Sequence, residues 1–329
     1  MSDVETGAVS PSPTVVVAVV TYGRPRELAR LLAALEPVAT RAVHAHAAAR
    51  VDVLVVDNDP DRSARTVASA AGARVTWVHE PEAGVAAARN RALDGGHGHD
   101  LLAFIDDDET PADSEWLTRL LACRRDLHAH VVAGPVVTVV EGTLDPWLEA
   151  GEFFARSHRV GLATGTPIER AATNNLMLDM AFVRGAGVRF DRRFGRSGGE
   201  DSLFTSQLHA AGARMVWCAD ALVHDHLLAE RQTRRHALAR MRGMASTGVR
   251  VRIVLAPDRG HRVRTRVRAS VVGVLRVVSG AARFAAGAVG RSQRLDAKGR
   301  RDMMRGIGGL EGAAGRAHVQ YGQPQGGRS

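Results

Sequence analysis

The chain has 329 residues, which is enough to bury a large α/β core and excludes a peptide or a lone small module. Its 44 Lys and Arg side chains outnumber 35 Asp and Glu side chains, for a formal net charge of +9. The two signs are unevenly distributed, because residues 1–225 carry 22 basic and 30 acidic side chains whereas residues 226–329 carry 22 and 5. The sequence therefore predicts an acidic body followed by a basic tail.

Cysteine usage and the N-terminal residues point to the same compartment. Cys123 and Cys218 are the two cysteines, too few for a disulfide framework, and neither stands in a spacing that would hold zinc. Residues 1–13 contain no apolar core segment, so we expect a disordered N-terminal arm rather than a secretory signal. Both features predict a cytoplasmic protein.

Apolar runs rich in β-branched residues alternate with helical patterns through the first part of the chain. Strands are predicted over 15–20, 51–56, 75–78 and 101–105, followed by helices near 26–35, 62–71, 85–93 and 115–123. This alternation predicts an α/β fold with a doubly wound, mostly parallel sheet, in which ligands bind beyond the carboxyl ends of the strands. The residues at those ends are Thr21, Asp57, Glu80 and Asp106.

The pattern becomes irregular after a predicted strand over 131–140. We expect a loop over 142–172 and, after it, a short strand over 175–178 and a helix over 201–211. Two more short strands are predicted over 215–218 and 221–223. The body is predicted to end near Leu228, which makes residues 14–228 one domain.

The tail has a different composition from the body. Four arginines share about a third of a helical wheel, with apolar residues largely opposite them; they are Arg264, Arg268, Arg276 and Arg283. Because arginines interrupt the apolar stretch, we predict a basic amphipathic helical extension over 229–305 that lies on an anionic membrane or packs on a partner, without crossing a bilayer. The Gly-rich residues 306–329 are predicted to form a disordered tail.

Four consecutive acids, Asp106 to Glu109, follow the apolar strand LLAFI. They would repel one another without a cation, and carboxylate oxygens at a strand end suit Mg²⁺ or Mn²⁺, which in turn would grip a substrate diphosphate. Since alternate residues of a strand point the same way, Asp106 and Asp108 are predicted to share one target while Asp107 points elsewhere. The alternative is an acidic helix N-terminus placed by the helix dipole.

Two further positions lie near the same edge of the predicted sheet. Asp57 is placed to accept hydrogen bonds from a nucleoside, or instead to close an Asx turn or cap the next helix. Arg89 lies on the helix that follows Gly84, where its guanidinium would bind phosphate as a fork or form a surface ion pair.

Glu200 and Asp201 follow two glycines and begin a helix, a position that stabilises an ionised carboxylate and suits a general base, with helix capping as the alternative. His224 follows a short strand and is a candidate to complete a metal shell with Asp108 or to bind phosphate; His226 is a weaker one. Asn174 and its neighbour are equally plausible as sugar ligands and as strand-entry amides.

Taken together, these segments resemble the family 2 glycosyltransferases of the GT-A fold, and among them bacterial members that act on exopolysaccharide or cell-envelope glycans. The matching segments keep the order of that family across residues 15–226: VVVAVVTYGRPRELARLLAAL, VLVVDND, EAGVAAARNRAL, FIDDDE and NNLMLDMAFVRGAGVRFDRRFGRSGGEDSLFTSQLHAAGARMVWCADALVHDH.

The resemblance implies a donor pocket and a reaction. Thr21, Tyr22 and Asp57 would line the nucleotide pocket, with Arg89 approaching the diphosphate. The enzyme would be an inverting, metal-dependent transferase that moves a sugar from a nucleoside-diphosphate sugar to a hydroxyl of a glycan or lipid-linked acceptor.

The resemblance also assigns the metal and the base. Asp106 and Asp108 would be the DxD-type pair that holds ribose and metal, Mg²⁺ or Mn²⁺, with His224 after the last strand. Asp201, following Glu200 in an E-D motif, would be the catalytic base. Peripheral attachment to the inner face of the plasma membrane through the basic helices fits such an enzyme.

Three other functions remain as alternatives at this level. A nucleotidyltransferase has a similar sheet but usually shows a Gly-rich phosphate loop after its first strand, where this chain has Gly23-Arg24-Pro25. A basic nucleic-acid-binding or membrane-binding protein would fit the tail, but 4% aromatic residues and no recognition helix argue against nucleic acid. A catalytically silent protein of the same fold is disfavoured by the acids at 106, 108 and 201.

Overall fold

The computed structural model describes residues 12–155, 159 and 161–316. The predicted N-terminal arm lies outside these residues except for positions 12 and 13, and the same is true of residues 317–329 of the predicted tail.

A seven-stranded sheet forms the centre of the body, in the order β3-β2-β1-β4-β8-β6-β9. Its strands are β1 (Thr14–Thr21), β2 (Arg50–Asp57), β3 (Val75–His79), β4 (Leu101–Asp106), β6 (Val131–Ala133), β8 (Leu176–Asp179) and β9 (Met215–Trp217). Strand β8 runs antiparallel to β4 and β6, and the other neighbours are parallel. The predicted doubly wound, mostly parallel sheet is confirmed.

Helices cover both faces of this sheet because its strands are apolar on both sides. They are α1 (Pro25–His44), α2 (Arg65–Ala70), α3 (Val85–Gly95), α4 (Trp116–Asp126), α6 (Met180–Ala186) and α7 (Glu200–Ala210), whereas α5 (Pro146–Ala150) belongs to a separate apolar cluster. In β1, Val15 and Val17 face the core that contains Leu28 of α1, whereas Val16 faces the core that contains Phe204 of α7. The strand alternation thus distributes its side chains between two cores.

A second sheet of three strands lies beside the main one, in the order β5-β10-β7. Its strands are β5 (Glu109–Pro111), β7 (Val136–Val140) and β10 (Val223–Leu227). The single strand predicted over 131–140 is therefore wrong, because the chain leaves the main sheet at Gly134-Pro135. Pro135 has no N–H to continue the ladder, and a Cβ at Gly134 would collide with the Ala221 carbonyl.

Three helices follow the body: α8 (Arg234–Val254), α9 (Arg259–Val289) and α10 (Gln293–Ala313). Helices α9 and α10 pack closely through glycines, and a Cβ at Gly280 would lie 2.7 Å from the Gly299 carbonyl oxygen. Gly273 and Gly287 stand seven residues to either side of Gly280 and are also buried. The predicted helical extension is present, and its glycines allow backbone-to-backbone contact.

The same close packing corrects the prediction of a disordered tail from residue 306. Helix α10 continues to Ala313, and Gly306, Gly308 and Gly312 are buried in it. A Cβ at Gly306 would meet the Gly273 carbonyl oxygen at 2.6 Å. Glycine content indicated disorder in the sequence, but here the missing side chains are what lets α10 fit against its neighbours.

Candidate active site

The carboxyl ends of four parallel strands meet along one edge of the main sheet. The register pairs Thr21 with Asp57, Val20 with Asp106, and Asp57 with His79. These ends are adjacent because consecutive βα units deliver every parallel strand to the same edge. Tyr22 extends beyond this edge and is 48% exposed.

The acidic run after β4 is neutralised by arginines from distant parts of the chain. Arg24 Nη1 donates to Asp107 Oδ1 at 2.8 Å and to Asp108 Oδ2 at 3.0 Å, and Arg231 Nη1 donates to the same Asp108 oxygen at 2.8 Å. Thr21 Oγ1 donates to Asp107 Oδ2 at 2.7 Å. The cations that the four acids require are therefore, in this structure, guanidinium groups.

In this arrangement Asp106 and Asp108 meet different guanidinium groups, and their sharing of one metal target stays a prediction. Asp107 and Asp108 share Arg24 instead, while the Asp106 carboxylate lies 3.5 Å from Arg89 Nη2. The chain leaves β4 at Asp106 and turns before β5 begins at Glu109, so the two-residue alternation of a strand does not apply to Asp107 and Asp108.

Arg89 connects this edge to the start of α7. Its Nη1 donates to Glu200 Oε1 and its Nη2 faces Asp106. The side chains of Arg89 and Glu200 are 9% and 3% exposed, so the surface ion pair considered for Arg89 is wrong. A buried guanidinium between two carboxylates fixes their relative position, since breaking such a pair leaves an uncompensated charge.

Asp201 begins α7 beside Glu200 and is half-buried. Its Oδ1 accepts the Ser202 N–H at 2.6 Å. The preceding Gly198 and Gly199 have φ values of 77° and 90°, a left-handed backbone that glycine adopts without strain. The two glycines therefore set the backbone conformation directly before the E-D pair.

The loop before α7 is held by α8. Thr247 Oγ1 donates to the Ser197 carbonyl oxygen at 2.9 Å, and Arg250 Nη1 donates to Ser197 Oγ at 2.7 Å. The Thr247 side chain lies directly against Gly199, where any Cβ would collide with it. The C-terminal extension therefore supports the segment that carries Asp201.

Asp57 is fully buried, and its carboxylate is already used inside the protein. Oδ1 accepts the Asp59 N–H at 3.1 Å, and Oδ2 accepts the Ala64 N–H at 3.0 Å and Trp77 Nε1–H at 3.3 Å. This is the Asx-turn alternative that the sequence left open. The neighbouring Asn58 joins the loops after β2 and β3 by donating to the Glu80 carbonyl oxygen at 2.8 Å.

The predicted metal shell of Asp106, Asp108 and His224 is not assembled in this structure. Among the described residues, no group of three or more His, Cys, Asp or Glu side chains is placed to hold a metal ion. His224 pairs with Thr110 in the small sheet, and it is the His226 N–H that donates to the Asp108 carbonyl oxygen, at 3.0 Å. The Asp106 and Asp108 oxygens nevertheless have the chemistry that Mg²⁺ and Mn²⁺ prefer.

Two buried carboxyl groups of the site have raised pKa values. Burial raises the pKa of Asp107 to about 6, against the opposing effect of Arg24. Burial likewise raises the pKa of Glu200 to about 7, with Arg89 opposing and Asp201 adding to the shift. Glu200 Oε2 has no hydrogen-bond partner among the described residues, so one side of this carboxyl group is buried without compensation.

Arg24 and Arg231 were missed as partners of the acids. Arg24 stands in the first βα loop, three residues after β1, and that position was a usable signal, since this loop also opens onto the carboxyl edge. Arg231 lies in a short 3-10 turn beyond the body, and nothing in its sequence context connects it with Asp108. Asn174 orients the cluster by donating to Glu109 Oε1 at 2.7 Å.

Comparison with known proteins gives a family match and one relative. The model of glycosyl transferase family 2 matches residues 16–182. Over 215 residues the chain is 36% identical to the succinoglycan biosynthesis protein ExoM of Rhizobium meliloti (strain 1021). The match covers 64% of this chain and 65% of the relative, so it spans slightly less than two thirds of the relative's length.

Solved structures with a similar fold include two of S. aureus TarS 1-349. The first is 15% identical with a TM-score of 0.50, covering 88% of this chain and 90% of that one; the second, in complex with UDP-GlcNAc, has the same identity and score and covers 94% and 97%. GalNAc-T7 with UDP, GalNAc and Mn²⁺ is 13% identical with a TM-score of 0.51, covering 75% and 49%. At these identities the likeness concerns the fold, and it confirms the predicted GT-A class.

The raised pKa of Glu200 predicts a pH-dependent stability. Because the folded-state pKa of about 7 exceeds the ordinary value, the folded protein favours the protonated group, so its free energy of unfolding falls as pH rises from the unfolded pKa through the folded one. Glu200→Gln removes this titration, and we expect a smaller loss of stability between about pH 5 and about pH 8 in urea denaturation. Asp107 titrates in both proteins and cancels in the difference. Exposed Glu230→Gln is the matched control, and an unchanged pH dependence in Glu200→Gln would contradict the assignment.

Proposed function

Because the chain belongs to glycosyl transferase family 2, whose model matches residues 16–182, we propose that it transfers a sugar from a nucleoside-diphosphate sugar to a hydroxyl of a glycan or lipid-linked acceptor. The observation that carries the proposal is the connection Asp106–Arg89–Glu200, in which the Arg89–Glu200 ion pair is buried. It holds the donor edge of the sheet and the start of α7 in one rigid unit, with Asp201 next to Glu200. A displacement reaction needs its donor and its base in such a fixed relation.

The donor nucleoside would lie at the carboxyl edge beside Tyr22. Tyr22 is the exposed aromatic side chain there, whereas Thr21 and Asp57 are buried and shape the loops beneath it. Arg89 would contribute positive charge near the diphosphate while remaining paired to Asp106 and Glu200. Asp57 thus supports the pocket through its Asx turn and needs no direct contact with the nucleobase of the donor.

A divalent cation, Mg²⁺ or Mn²⁺, would be held by Asp106 and Asp108. The side chain of Asp106 is 38% exposed, so a cation could reach it from solvent. Asp108 would have to exchange the guanidinium groups of Arg24 and Arg231 for the cation. When bound, such an ion would neutralise charge on the leaving nucleoside diphosphate.

Asp201 is proposed as the general base of an inverting displacement. Its carboxylate accepts the proton of the acceptor hydroxyl, whose oxygen forms a bond to the anomeric carbon. The bond from that carbon to the diphosphate oxygen breaks on the opposite face, and its electron pair leaves with the diphosphate. Inversion of the anomeric configuration follows from this single displacement.

The tail supports attachment to a membrane. Along α9, one face from Val263 to Val289 is exposed and apolar, including Leu275 at 62% exposure and Val289 at 88%. This stripe is roughly 39 Å long at 1.5 Å per residue. Among the described helices, α9 is long and apolar enough by length and composition to cross a membrane, which differs from the prediction of an apolar stretch too interrupted to do so.

We propose that this face lies in the interface of an anionic membrane. By helical position Arg264 and Arg268 lie along one edge of the apolar stripe, which is the arrangement of a helix that lies in a bilayer surface. The protein would then be a cytoplasmic enzyme bound peripherally to the inner face of the plasma membrane, acting in polysaccharide biosynthesis. Nucleic acid is not an expected partner.

The role of Asp201 predicts a separation of catalysis from donor binding. Asp201→Asn keeps the size of the side chain but removes the base, so transfer should fall by about a hundredfold to ten-thousandfold. Thermal stabilisation by nucleoside-diphosphate sugars, screened as a panel with Mn²⁺, should remain as in the unaltered protein. Exposed Asp61→Asn serves as the matched control for both readouts. Loss of donor stabilisation in Asp201→Asn would remove its assignment as base, and a panel in which no donor stabilises the protein would remove the proposed function.

Competition between arginine and metal at Asp108 predicts a change in metal dependence. Chelation of divalent ions should abolish sugar transfer, and Mn²⁺ should restore it. Arg231→Gln removes one guanidinium from Asp108, so the Mn²⁺ concentration for half-maximal restoration should fall by up to about tenfold. Arg235→Gln, which changes an exposed arginine nearby, should leave it unchanged. Activity that persists after chelation would contradict a metal at this site.

The exposed face of α9 predicts the determinants of membrane binding. Val274→Glu with Val278→Glu places two charges in the apolar stripe and should weaken sedimentation with phosphatidylcholine–phosphatidylglycerol vesicles by about tenfold or more. Ser279→Glu with Gln293→Glu makes the same change in net charge away from the stripe and should have a much smaller effect. Equal losses in the two double variants would show that net charge, and not this face, governs binding.

A further inference from the structure

A cleft of about 470 Å³ opens between α8, α9 and α10 on the side of α9 that faces α8. Five arginines line it, contributed by the three helices and by the loop that precedes β8. They are Arg170, Arg252, Arg268, Arg276 and Arg305. We refer to this cleft as the arginine cleft. It is separate from the carboxyl edge of the main sheet, and the reaction proposed above uses none of its residues.

The positive charge of the arginine cleft is not neutralised from within the described part of the chain. None of the five guanidinium groups forms an ion pair with a described carboxylate, and the side-chain hydrogen bond found for them runs from Arg252 Nε to the Gly248 carbonyl oxygen, at 3.1 Å. Burial and the neighbouring groups of Arg170, Arg268 and Arg276 lower the pKa of Arg252. Mutual repulsion of this kind is relieved when an anion enters.

Acids of the extension are available but are paired elsewhere. Glu311 is bound by Arg242, Asp302 by Arg283, and Asp296 accepts from Arg300 at 3.2 Å. The extension thus pairs three arginines outside the cleft, while the five inside it form no ion pair with a described carboxylate and Arg305 has only the nearby charge of Asp302 to offset its neighbours. A group of arginines without acids in a concave site is the arrangement that recognises phosphate.

The floor of the arginine cleft is apolar. Met241, Val249 and Ala269 are buried there, while Met244 and Val272 are partly exposed at 52% and 38%. The described lining contains no aromatic side chain, so it offers no stacking surface for a base. An apolar floor beneath a ring of cations suits a ligand that has an anionic head and an aliphatic chain.

Two walls of the cleft also support the candidate active site. On α8, Gly248 and Arg252 line the cleft, while the adjacent Thr247 holds the loop before Asp201. Arg170 precedes Ala171, whose N–H donates to Thr205 Oγ1 of α7 at 3.0 Å. The cleft is therefore joined to α7 through both α8 and the loop before β8.

We propose that the arginine cleft binds the phosphate or diphosphate head group of a lipid, with the aliphatic chain lying over Met244 and Val272 toward α9. This deepens the proposed function and rests on it in one respect, the placement of the extension at a membrane. Free phosphate or a nucleotide would bind the arginines but would leave the apolar floor exposed to solvent. A phosphorylated lipid uses both.

Calorimetric titration of the full chain with farnesyl diphosphate tests the proposal, with inorganic pyrophosphate and farnesol as the two halves of the ligand. We expect farnesyl diphosphate to bind at least tenfold more tightly than either half. Arg252→Gln with Arg305→Gln should weaken its binding at least tenfold. Arg235→Gln with Arg259→Gln, two exposed arginines outside the cleft, should not. Met244→Glu places a carboxylate at the exposed rim and should weaken binding without disturbing the fold, which a thermal melt would check.

Vesicles distinguish the source of the head group. If the cleft variant loses binding to phosphatidylglycerol vesicles while the unaltered chain ignores farnesyl diphosphate, the ligand is a membrane phospholipid. Pyrophosphate binding as tightly as farnesyl diphosphate would overturn the proposal, and so would equal behaviour of the cleft variant and the control. The cleft variant should still be stabilised by the donor that stabilises the unaltered chain. Failure of every donor, with cleft binding retained, would remove the proposed function and leave the cleft assignment standing.

Discussion

The burial of three of the four consecutive acids at the end of β4 is the constraint on which the site depends. Asp107, Asp108 and Glu109 are almost wholly inaccessible, and carboxylates in that environment are tolerated where hydrogen bonds and counter-charges surround them. The counter-charges come from Arg24 in the first βα loop and Arg231 beyond the body. Because both arginines bind the acids of this one turn, the first βα loop and the segment that follows the body lie next to each other.

Glycines serve a second constraint, the approach of backbones in the extension and beside α7. Gly199 admits Thr247 of α8 to the loop before Asp201, and Gly280 admits the backbone of α10 to α9. Close approach of this kind makes the extension a continuation of the folded body. On α9 the buried glycines face α10, whereas the apolar residues from Val263 to Val289 lie exposed on another face.

The sheet was predictable from the sequence because parallel strands buried on both faces leave near-continuous apolar runs, and because β-strand to helix alternation restricts topology. The polar edge was predictable for the same reason. The pairing within it was not, since Asp107 and Asp108 lie in a turn where Arg24 binds both and Arg231, more than a hundred residues away in the chain, binds Asp108. The glycines of α10 were wrongly taken as a sign of disorder. Glycine content alone indicates a flexible backbone, but it does not show that a neighbouring helix packs against these residues and orders them.

The division between an acidic body and a basic tail has a structural basis in how the arginines are used. Those that meet acids, such as Arg89 and Arg242, hold parts of the fold together. Those in the arginine cleft line one concave surface and form no ion pair with a described carboxylate. Because α8 touches both the cleft and the loop before Asp201, an anion that tightens the cleft would also restrain the loop that carries the candidate base. Ligand binding in the cleft and positioning of the base are then linked through a single helix.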